Sequence, residues 1–234
     1  MKRTYYIILI SVLFLFLIVG VSLSRAVTIF SENSEIERRN CVIIDAGHGG
    51  VDGGATSCTG VLESEINLQI SLRLNDLFHL LGIDTIMIRT TDASIYTKGK
   101  TIAAKKVSDL KERVRIINES ENGVLVSIHQ NHFADPRYSG AQTFYAKTPG
   151  SKELAQFLQT TFKNTINPSS KRQIKKSDGI YLMQHIETTG ILVECGFLSN
   201  AEEENRLRDA QYQNKLCICI VTAVRHYLDH KDFR

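Results

Sequence analysis

The feature that most constrains the fold is the alternation of short apolar runs with segments of helical periodicity. Residues 41–45 form an unbroken apolar run up to Asp45, typical of a strand buried on both faces. Residues 63–81 then place apolar side chains at helical spacing and stop at Gly82. The same reasoning predicts strands at 41–45, 84–89, 124–129, 141–146, 179–183 and 190–194, and helices at 63–81, 107–120, 151–166 and 210–228.

This order predicts a single α/β domain with a mostly parallel, twisted sheet and helices on both faces. Residues 96–106 contain four lysines and Gly99, and are predicted to form a solvated loop. In such sheets ligands gather beyond the carboxyl ends of the strands. A functional site is therefore expected at that edge.

The first 26 residues differ from the rest of the chain. Lys2 and Arg3 precede an apolar run of about 19 residues, 5–23, without a charged side chain. This length is close to the roughly 20 residues that span a bilayer and exceeds the roughly 7–15 of a signal-peptide core. It favours an uncleaved membrane anchor, while the small residues Ser24 and Ala26 leave a cleaved secretory signal open. Either interpretation makes the rest of the chain extracytoplasmic.

The charge of the chain gives no reason to expect nucleic-acid binding. The 234-residue chain has 28 basic and 25 acidic side chains, and three of the basic ones lie in the first 26 residues. The remainder is balanced, with no electrostatic footprint for nucleic acid. Residues 27–40 are predicted as a polar tether and 41–230 as one domain, a size that suits a single core.

Three polar motifs follow predicted strands. His48 lies in a glycine-rich turn after the first strand, Glu63 begins the next helix, His129 ends the strand at 124–129, and Glu194 ends the strand at 190–194. Carboxyl ends of parallel strands meet at one edge, so these side chains are expected together. Two histidines and one carboxylate are the three-ligand set of a catalytic zinc ion, which keeps one position open for water.

Glu194 is predicted to be the catalytic base. It follows the apolar residues 191–193, and a buried carboxylate is costly unless it is paired or used. A carboxylate that is not a ligand can take a proton from the attacking water and pass it to the leaving nitrogen. The adjacent Cys195 is a weaker candidate for a ligand or nucleophile, because its motif implies no partner base.

The predicted ligands have rivals. Glu65 lies two positions from Glu63 on the same helix and points in a different direction, so only one of them is expected to reach the metal. His132 competes with His129 but lies beyond the strand, in a loop. Asp52 either orients a ligand histidine or forms an Asx turn, and both interpretations stay open. The glycine spacing of the first turn does not fit a dinucleotide-binding fingerprint.

These motifs closely resemble those of the zinc-dependent N-acetylmuramoyl-L-alanine amidases of the bacterial cell wall. The resemblance covers residues 42–228, with several long motifs in the family's order. They are residues 43–55 (IIDAGHGGVDGGA), 60–68 (GVLESEINL), 88–92 (IRTTD), 110–113 (LKER), 127–131 (SIHQN) and 193–200 (VECGFLSN). The resemblance implies that His48, Glu63 and His129 bind zinc and that Glu194 is catalytic.

It also implies a substrate, which is the amide between the lactyl group of N-acetylmuramic acid and the L-alanine of peptidoglycan stem peptides. Some family members need an activating protein, so the resemblance allows for such a partner here. Ser64 stands where the family often has lysine, and Gln130 and His132 stand where it often has alanine. These departures concern substrate preference rather than the metal site.

A single catalytic domain behind an amino-terminal membrane segment looks most like the germination-specific, spore-cortex members of the family. Those members strip peptides from muramic acid as the first step toward muramic δ-lactam. The alternatives are a general cell-wall autolysin, a zinc peptidase acting within the stem peptide, and a non-catalytic wall-binding module. A structural zinc site would normally have four protein ligands, and three are found.

Overall fold

The computed structural model describes residues 41–120 and 122–231. The predicted membrane segment and tether, at 1–26 and 27–40, lie outside these residues. No helix in the described part is long and apolar enough to cross a membrane. The elements are β1 (Cys41–Ala46), α1 (Glu63–Leu80), β2 (Asp84–Met87), α2 (Ile102–Glu119), β3 (Gly123–Asn131), β4 (Gln142–Tyr145), α3 (Ser151–Thr165), β5 (Lys175–Lys176), α4 (Tyr181–His185), β6 (Thr189–Phe197), α5 (Ala201–Arg208) and α6 (Ala210–His230).

The strands form one sheet in the order β2-β1-β3-β6-β4-β5. Strands β2, β1, β3 and β6 run parallel to one another, whereas β4 is antiparallel to β6. Strand β5 pairs with β4 in parallel. The predicted mostly parallel α/β sheet is confirmed. Parallel neighbouring strands end at the same edge of a sheet. The carboxyl ends of β1, β3 and β6 therefore lie side by side in the middle of that edge.

Both faces of the sheet are covered, since successive strand residues point to opposite sides. Val42 and Ile44 of β1 pack into a core with α1, α3 and α6, where Phe78 and Phe162 are fully buried. Ile43, between them, belongs to a smaller core with residues of α2 and α4. Each of these large side chains contributes about 1.5–3 kcal/mol through burial. The two cores hold the strand ends in fixed positions.

Two local predictions were wrong. Residues 179–183 do not form a strand, because Leu182 and Met183 are both buried in the same core, which adjacent residues of a strand cannot achieve. The predicted loop at 96–106 is shortened by the start of α2 at Ile102. There the hydroxyl of Thr101 accepts a hydrogen bond from the backbone N–H of Ala104, at 3.2 Å, and caps the helix.

Candidate metal centre and active site

The three predicted metal ligands converge at the carboxyl edge of the sheet. His48 lies in the turn after β1, Glu63 is the first residue of α1, and His129 lies near the end of β3. The Glu63 carboxylate is 3.2 Å from His48 Nε2 and 2.9 Å from His129 Nδ1. One ligand atom from each residue lies within 4.8 Å of the others, close enough to hold one metal ion.

The rival candidates lie outside this cluster. Glu65 and His132 are exposed, and neither is among the converging side chains. Cys195 is fully buried, and burial raises the pKa of its thiol well above the usual value. A protonated, buried thiol is neither a good ligand nor a nucleophile.

Two glycines make room for the cluster. A Cβ atom on Gly47 would lie 2.3 Å from the His129 ring. A Cβ atom on Gly54 would lie 2.5 Å from Glu63 Oε2 and 2.7 Å from His48 Cδ2. Neither distance is compatible with a side chain. His48 itself has a φ of 61°, a left-handed conformation that is uncommon outside glycine and often marks functional sites.

Asp52 fulfils both of the roles that the sequence left open. Its Oδ1 accepts a hydrogen bond from the N–H of Gly54 at 3.2 Å, which forms the Asx turn, and its Oδ2 is 3.0 Å from His48 Nδ1. This second contact leaves His48 Nε2 facing Glu63. Burial alone would lower the pKa of His48, but hydrogen bonds and charges from Glu63 and Asp52 outweigh it and raise the pKa to about 9.

Glu63 is held as a carboxylate from several directions. Its oxygens accept hydrogen bonds from the N–H of Ala55 at 2.9 Å, the N–H of Gln130 at 3.1 Å and the side-chain amide of Asn67 at 3.2 Å. Burial would raise the pKa of Glu63, but His129 and His48 reverse this and hold the pKa well below its usual range. The carboxylate is therefore negative and oriented before any ion arrives.

Arg89 was not predicted to belong to the site, yet it fixes the turn that carries His48. It is almost fully buried. Its guanidinium donates to the carbonyls of Ala46 at 2.8 Å, Gly47 at 3.0 Å and Ser64 at 2.8 Å. The turn after β1 and the first turn of α1 are thereby joined. The signal available in the sequence was a lone arginine at the end of the predicted strand 84–89.

Arg113 of α2 supports the same turn from the other face of the sheet. It pairs with Asp45 at the end of β1 and with Asp109, and donates to the carbonyl of His48 at 2.7 Å. Ser127 donates a further hydrogen bond to Asp45 at 2.6 Å. Burial would raise the pKa of Asp45, but Arg113, His129 and Ser127 lower it below the usual value. An arginine among the apolar positions of a predicted helix was the signal available in the sequence.

Glu194 lies beside the metal cluster without belonging to it. It is the register partner of His129 across the parallel pair β3 and β6. Its Oε2 is buried and, within the described residues, has no hydrogen-bond partner. Burial raises the pKa of Glu194 to about 7, and the nearby histidines only partly counteract this. A carboxyl group of this kind can accept and release a proton near neutral pH.

The residues present fit a zinc ion. Imidazole nitrogens and a carboxylate are typical zinc ligands, and three protein ligands leave a position for water or substrate. Asp52 contacts Nδ1 of the His48 ring. Metal-bound histidines usually have such a partner on the ring nitrogen that does not bind the metal. The two glycines provide the space that the ligands need. An α/β sheet with this donor set and a separate unpaired carboxyl group at its carboxyl edge has the make-up of a metal-dependent hydrolase.

The family is shown by comparison with known proteins. Residues 42–226 match the model of the Amidase_3 family, described as N-acetylmuramoyl-L-alanine amidase, and the chain belongs to this family. A curated relative, the germination-specific N-acetylmuramoyl-L-alanine amidase of Bacillus subtilis, is 35% identical over 81% of this chain and 80% of its own length.

Solved structures of relatives share the fold. The CwlD amidase from Clostridioides difficile, in complex with the GerS lipoprotein, is 39% identical with a TM-score of 0.78, over 82% of this chain and 99% of that one. An N-acetylmuramoyl-L-alanine amidase from Clostridium difficile 630 is 33% identical with a TM-score of 0.73, over 83% of this chain and 100% of that one.

Proposed function

We propose that this protein is a zinc-dependent N-acetylmuramoyl-L-alanine amidase. It would hydrolyse the amide that joins N-acetylmuramic acid to the L-alanine of peptidoglycan stem peptides. The observation that carries the proposal is the convergence of His48, Glu63 and His129 beside the unpaired carboxyl group of Glu194, in a chain of the amidase family.

The arrangement divides the reaction between its residues. A zinc ion held by His48, Glu63 and His129 would polarise the scissile carbonyl group and stabilise the developing negative charge. Glu194 takes a proton from the attacking water molecule and delivers it to the nitrogen of the leaving L-alanine. Burial raises the pKa of Glu194 to about 7 in the metal-free protein, a value suited to accepting and releasing a proton near neutral pH. Asp52 holds the His48 ring in the orientation that this requires.

The test is mass spectrometry of peptidoglycan digested with the full-length chain, purified in detergent and loaded with zinc. Wild type is expected to release stem peptides that begin at L-alanine. Glu194→Gln should lose about 100- to 10,000-fold in rate, as is typical for the loss of an acid–base residue, while it keeps one zinc per chain. His129→Ala is the matched control that should lose the metal as well. Full hydrolysis by Glu194→Gln would contradict the proposed role of Glu194.

The same digest separates the other candidate functions. A zinc peptidase would cut within the stem peptide and free no L-alanine amino terminus. A wall-binding module would bind zinc and peptidoglycan but leave every muramyl amide intact. The unpaired carboxyl group beside three potential ligands favours the amidase over a binding module, because such a group is costly to bury without a use.

We further infer a role in the spore cortex, outside the cytoplasm. The support is the germination-specific relative and the apolar amino-terminal segment, which is proposed to act as a membrane anchor or secretory signal. Spores that lack the protein should contain cortex without muramic δ-lactam. Unchanged δ-lactam content would instead favour a general cell-wall autolysin.

An activating protein is proposed as a partner. The support is the Clostridioides difficile relative, whose structure was determined in complex with the GerS lipoprotein. If this chain depends on such a partner, hydrolysis by the purified, zinc-loaded protein should increase when an extract of sporulating cells is added. The Glu194→Gln variant with the same extract serves as the control.

A further inference from the structure

A basic groove opens beside Gln142, the β4 residue that pairs with Glu194. It has a volume of about 870 Å³ and lies between the segment after β3 and the segment that leads into β5. Arg137, Lys171, Arg172 and Lys175 line it, with Asp135 as the acidic member. Asp135 is already paired with Arg137, at 2.6 Å. The groove therefore presents a net positive charge to whatever enters it.

Arg172 is the ordered cation of this groove. Its Nε donates to the carbonyl of Ser139 at 2.7 Å, and its Nη1 donates to Gln142 Oε1 at 2.9 Å. Its guanidinium carbon lies 4.4 Å from the centre of the Phe197 ring. Within the described part of the chain, its hydrogen bonds and its ring contact are all with neutral groups, and no carboxylate lies within ion-pair distance. Glu203 and Glu194 act on it electrostatically from farther away, but burial outweighs them and lowers the pKa of Arg172. The guanidinium is thus fixed, partly removed from water and without a direct ionic partner among the described residues.

Such a guanidinium is prepared for an anion. Arginine presents N–H donors in a planar fork that matches a carboxylate, and holding the fork in place reduces the entropy lost on binding. A partly buried cation that no carboxylate contacts is stabilised by a direct ionic partner. A carboxylate of the substrate would provide one.

The position of Arg172 indicates which half of the substrate it faces, given the proposed function. Gln142, which holds Arg172, is the register partner of Glu194 across β4 and β6. Adjacent strands lie about 4.8 Å apart, so Gln142 is one strand beyond the base, and Arg172 contacts the Gln142 side chain. Glu194 must reach the leaving nitrogen, and this nitrogen belongs to L-alanine. The stem peptide therefore leaves the metal on the side of Glu194, toward the groove.

We propose that Arg172 binds the free α-carboxylate of the second residue of the stem peptide and so selects the peptide half of the substrate. Peptidoglycan links D-glutamate to the next residue through its γ-carboxyl group, which leaves the α-carboxylate free or amidated. This group lies one residue from the scissile amide, and one extended residue spans about 3.5 Å. The spacing suits a base and a guanidinium on neighbouring strands.

Peptide binding tests this proposal independently of catalysis. Calorimetry would compare L-alanyl-D-glutamate γ-methylamide, in which the γ-carboxyl group is blocked as it is in peptidoglycan, with the corresponding α-amide, using the full-length, zinc-loaded protein. Wild type should bind the free acid about 10- to 100-fold more tightly, as expected for a charge-assisted hydrogen bond. Arg172→Gln should bind both peptides equally. Arg225→Gln removes an exposed arginine of α6, paired with Asp229, and should keep the preference.

Two calorimetric outcomes would overturn the proposal: wild type without a preference for the free acid, or Arg172→Gln with the preference retained. Hydrolysis of the matching muramyl dipeptides gives a second readout. A residue with only a structural role would lower kcat/KM for both substrates equally, whereas the loss of a carboxylate contact lowers it for the free acid alone. If wild type cleaves neither substrate even when the extract of sporulating cells is added, the proposed amidase function fails, and calorimetry still decides the role of Arg172.

Discussion

The carboxyl group of Glu194 has one buried oxygen with no hydrogen-bond partner in the described part of the chain. Burial raises its pKa from 4.5 to about 7 in the metal-free protein. Between these values the folded protein keeps a proton that the unfolded chain has lost, so folding stability falls as pH rises through this window. At pH 8 the charged carboxylate should cost about 1–3 kcal/mol.

Glu194→Gln should therefore stabilise the metal-free protein at pH 8 by about 1–3 kcal/mol, because glutamine stays neutral at every pH. At pH 4 the substitution should have little effect, because the wild-type carboxyl group is protonated in both the folded and the unfolded state. Urea denaturation of the chelator-treated protein at both pH values measures the difference. An equal gain at pH 4 and pH 8 would show that packing, rather than charge, is responsible.

His48 should make zinc binding depend on pH. Its pKa is about 9 in the metal-free protein because Glu63 and Asp52 hold the protonated ring, and a metal ion must displace that proton. The zinc association constant should increase about tenfold per pH unit from pH 6 to pH 8. Chelator-competition titrations provide the measurement. An association constant that does not change over this range would contradict the assignment of His48.

Asp52→Asn tests the contact that orients His48. The variant keeps an amide oxygen for the Asx turn but loses the negative charge beside the ring. Zinc affinity at pH 8 should fall about 10- to 100-fold, as is typical for the loss of a partner of a ligand histidine. The pH dependence should also flatten, because the protonated ring is less stable. Unchanged affinity would mean that Asp52 serves the turn and its ion pair with Lys106, at 2.7 Å, rather than the ring.

At the scale of elements, the parts that could be predicted are those that local pattern determines. The central strands β1, β3 and β6 are buried on both faces and read as continuous apolar runs. Strand β5 is two exposed lysines, so it has no apolar pattern. Few apolar residues recur at helical spacing in helix α5, which begins at the cap formed by Asn200. Neither β5 nor α5 was predicted.

The residues of the site likewise divide into those that the sequence predicts and those that it does not. His48, Glu63, His129 and Glu194 could be predicted as neighbours, because each follows or begins an element at one edge of the sheet. The supporting arginines could not, because their partners are mostly backbone carbonyls. Which carbonyls face them depends on the path of the turn after β1, and this path depends on the tertiary contacts of α1 and α2.

Substitution of Gly47 tests the path of the turn after β1. Ala at position 47 would place a Cβ atom 2.3 Å from the His129 ring, so the ring or the turn must move. Zinc binding should weaken by at least 100-fold, because a displaced ligand removes one of three protein donors. Gly179→Ala is the control, since a Cβ atom there meets nothing within 4 Å. Zinc titration and thermal melting of both variants distinguish a local from a global effect, and tight zinc binding by Gly47→Ala would contradict the site geometry.

At the scale of the whole molecule, the metal cluster joins parts that are distant in sequence. Its ligands come from the turn after β1, the start of α1 and the end of β3. In the metal-free protein, Glu63 links the two histidines through hydrogen bonds. An ion that binds only the assembled site must stabilise the folded state, by an amount set by its concentration relative to its dissociation constant.

Zinc at 1,000 times its dissociation constant should stabilise the domain by about 4 kcal/mol. For a domain of this size the Tm should rise by about 8–16 °C, because 1 kcal/mol corresponds to about 2–4 °C. Calorimetric melting of the chelator-treated and zinc-loaded protein measures the shift. His129→Ala lacks one donor and should show less than a third of it at the same zinc concentration. Equal shifts in wild type and His129→Ala would place the stabilising ion elsewhere, on exposed histidines such as His226 and His230.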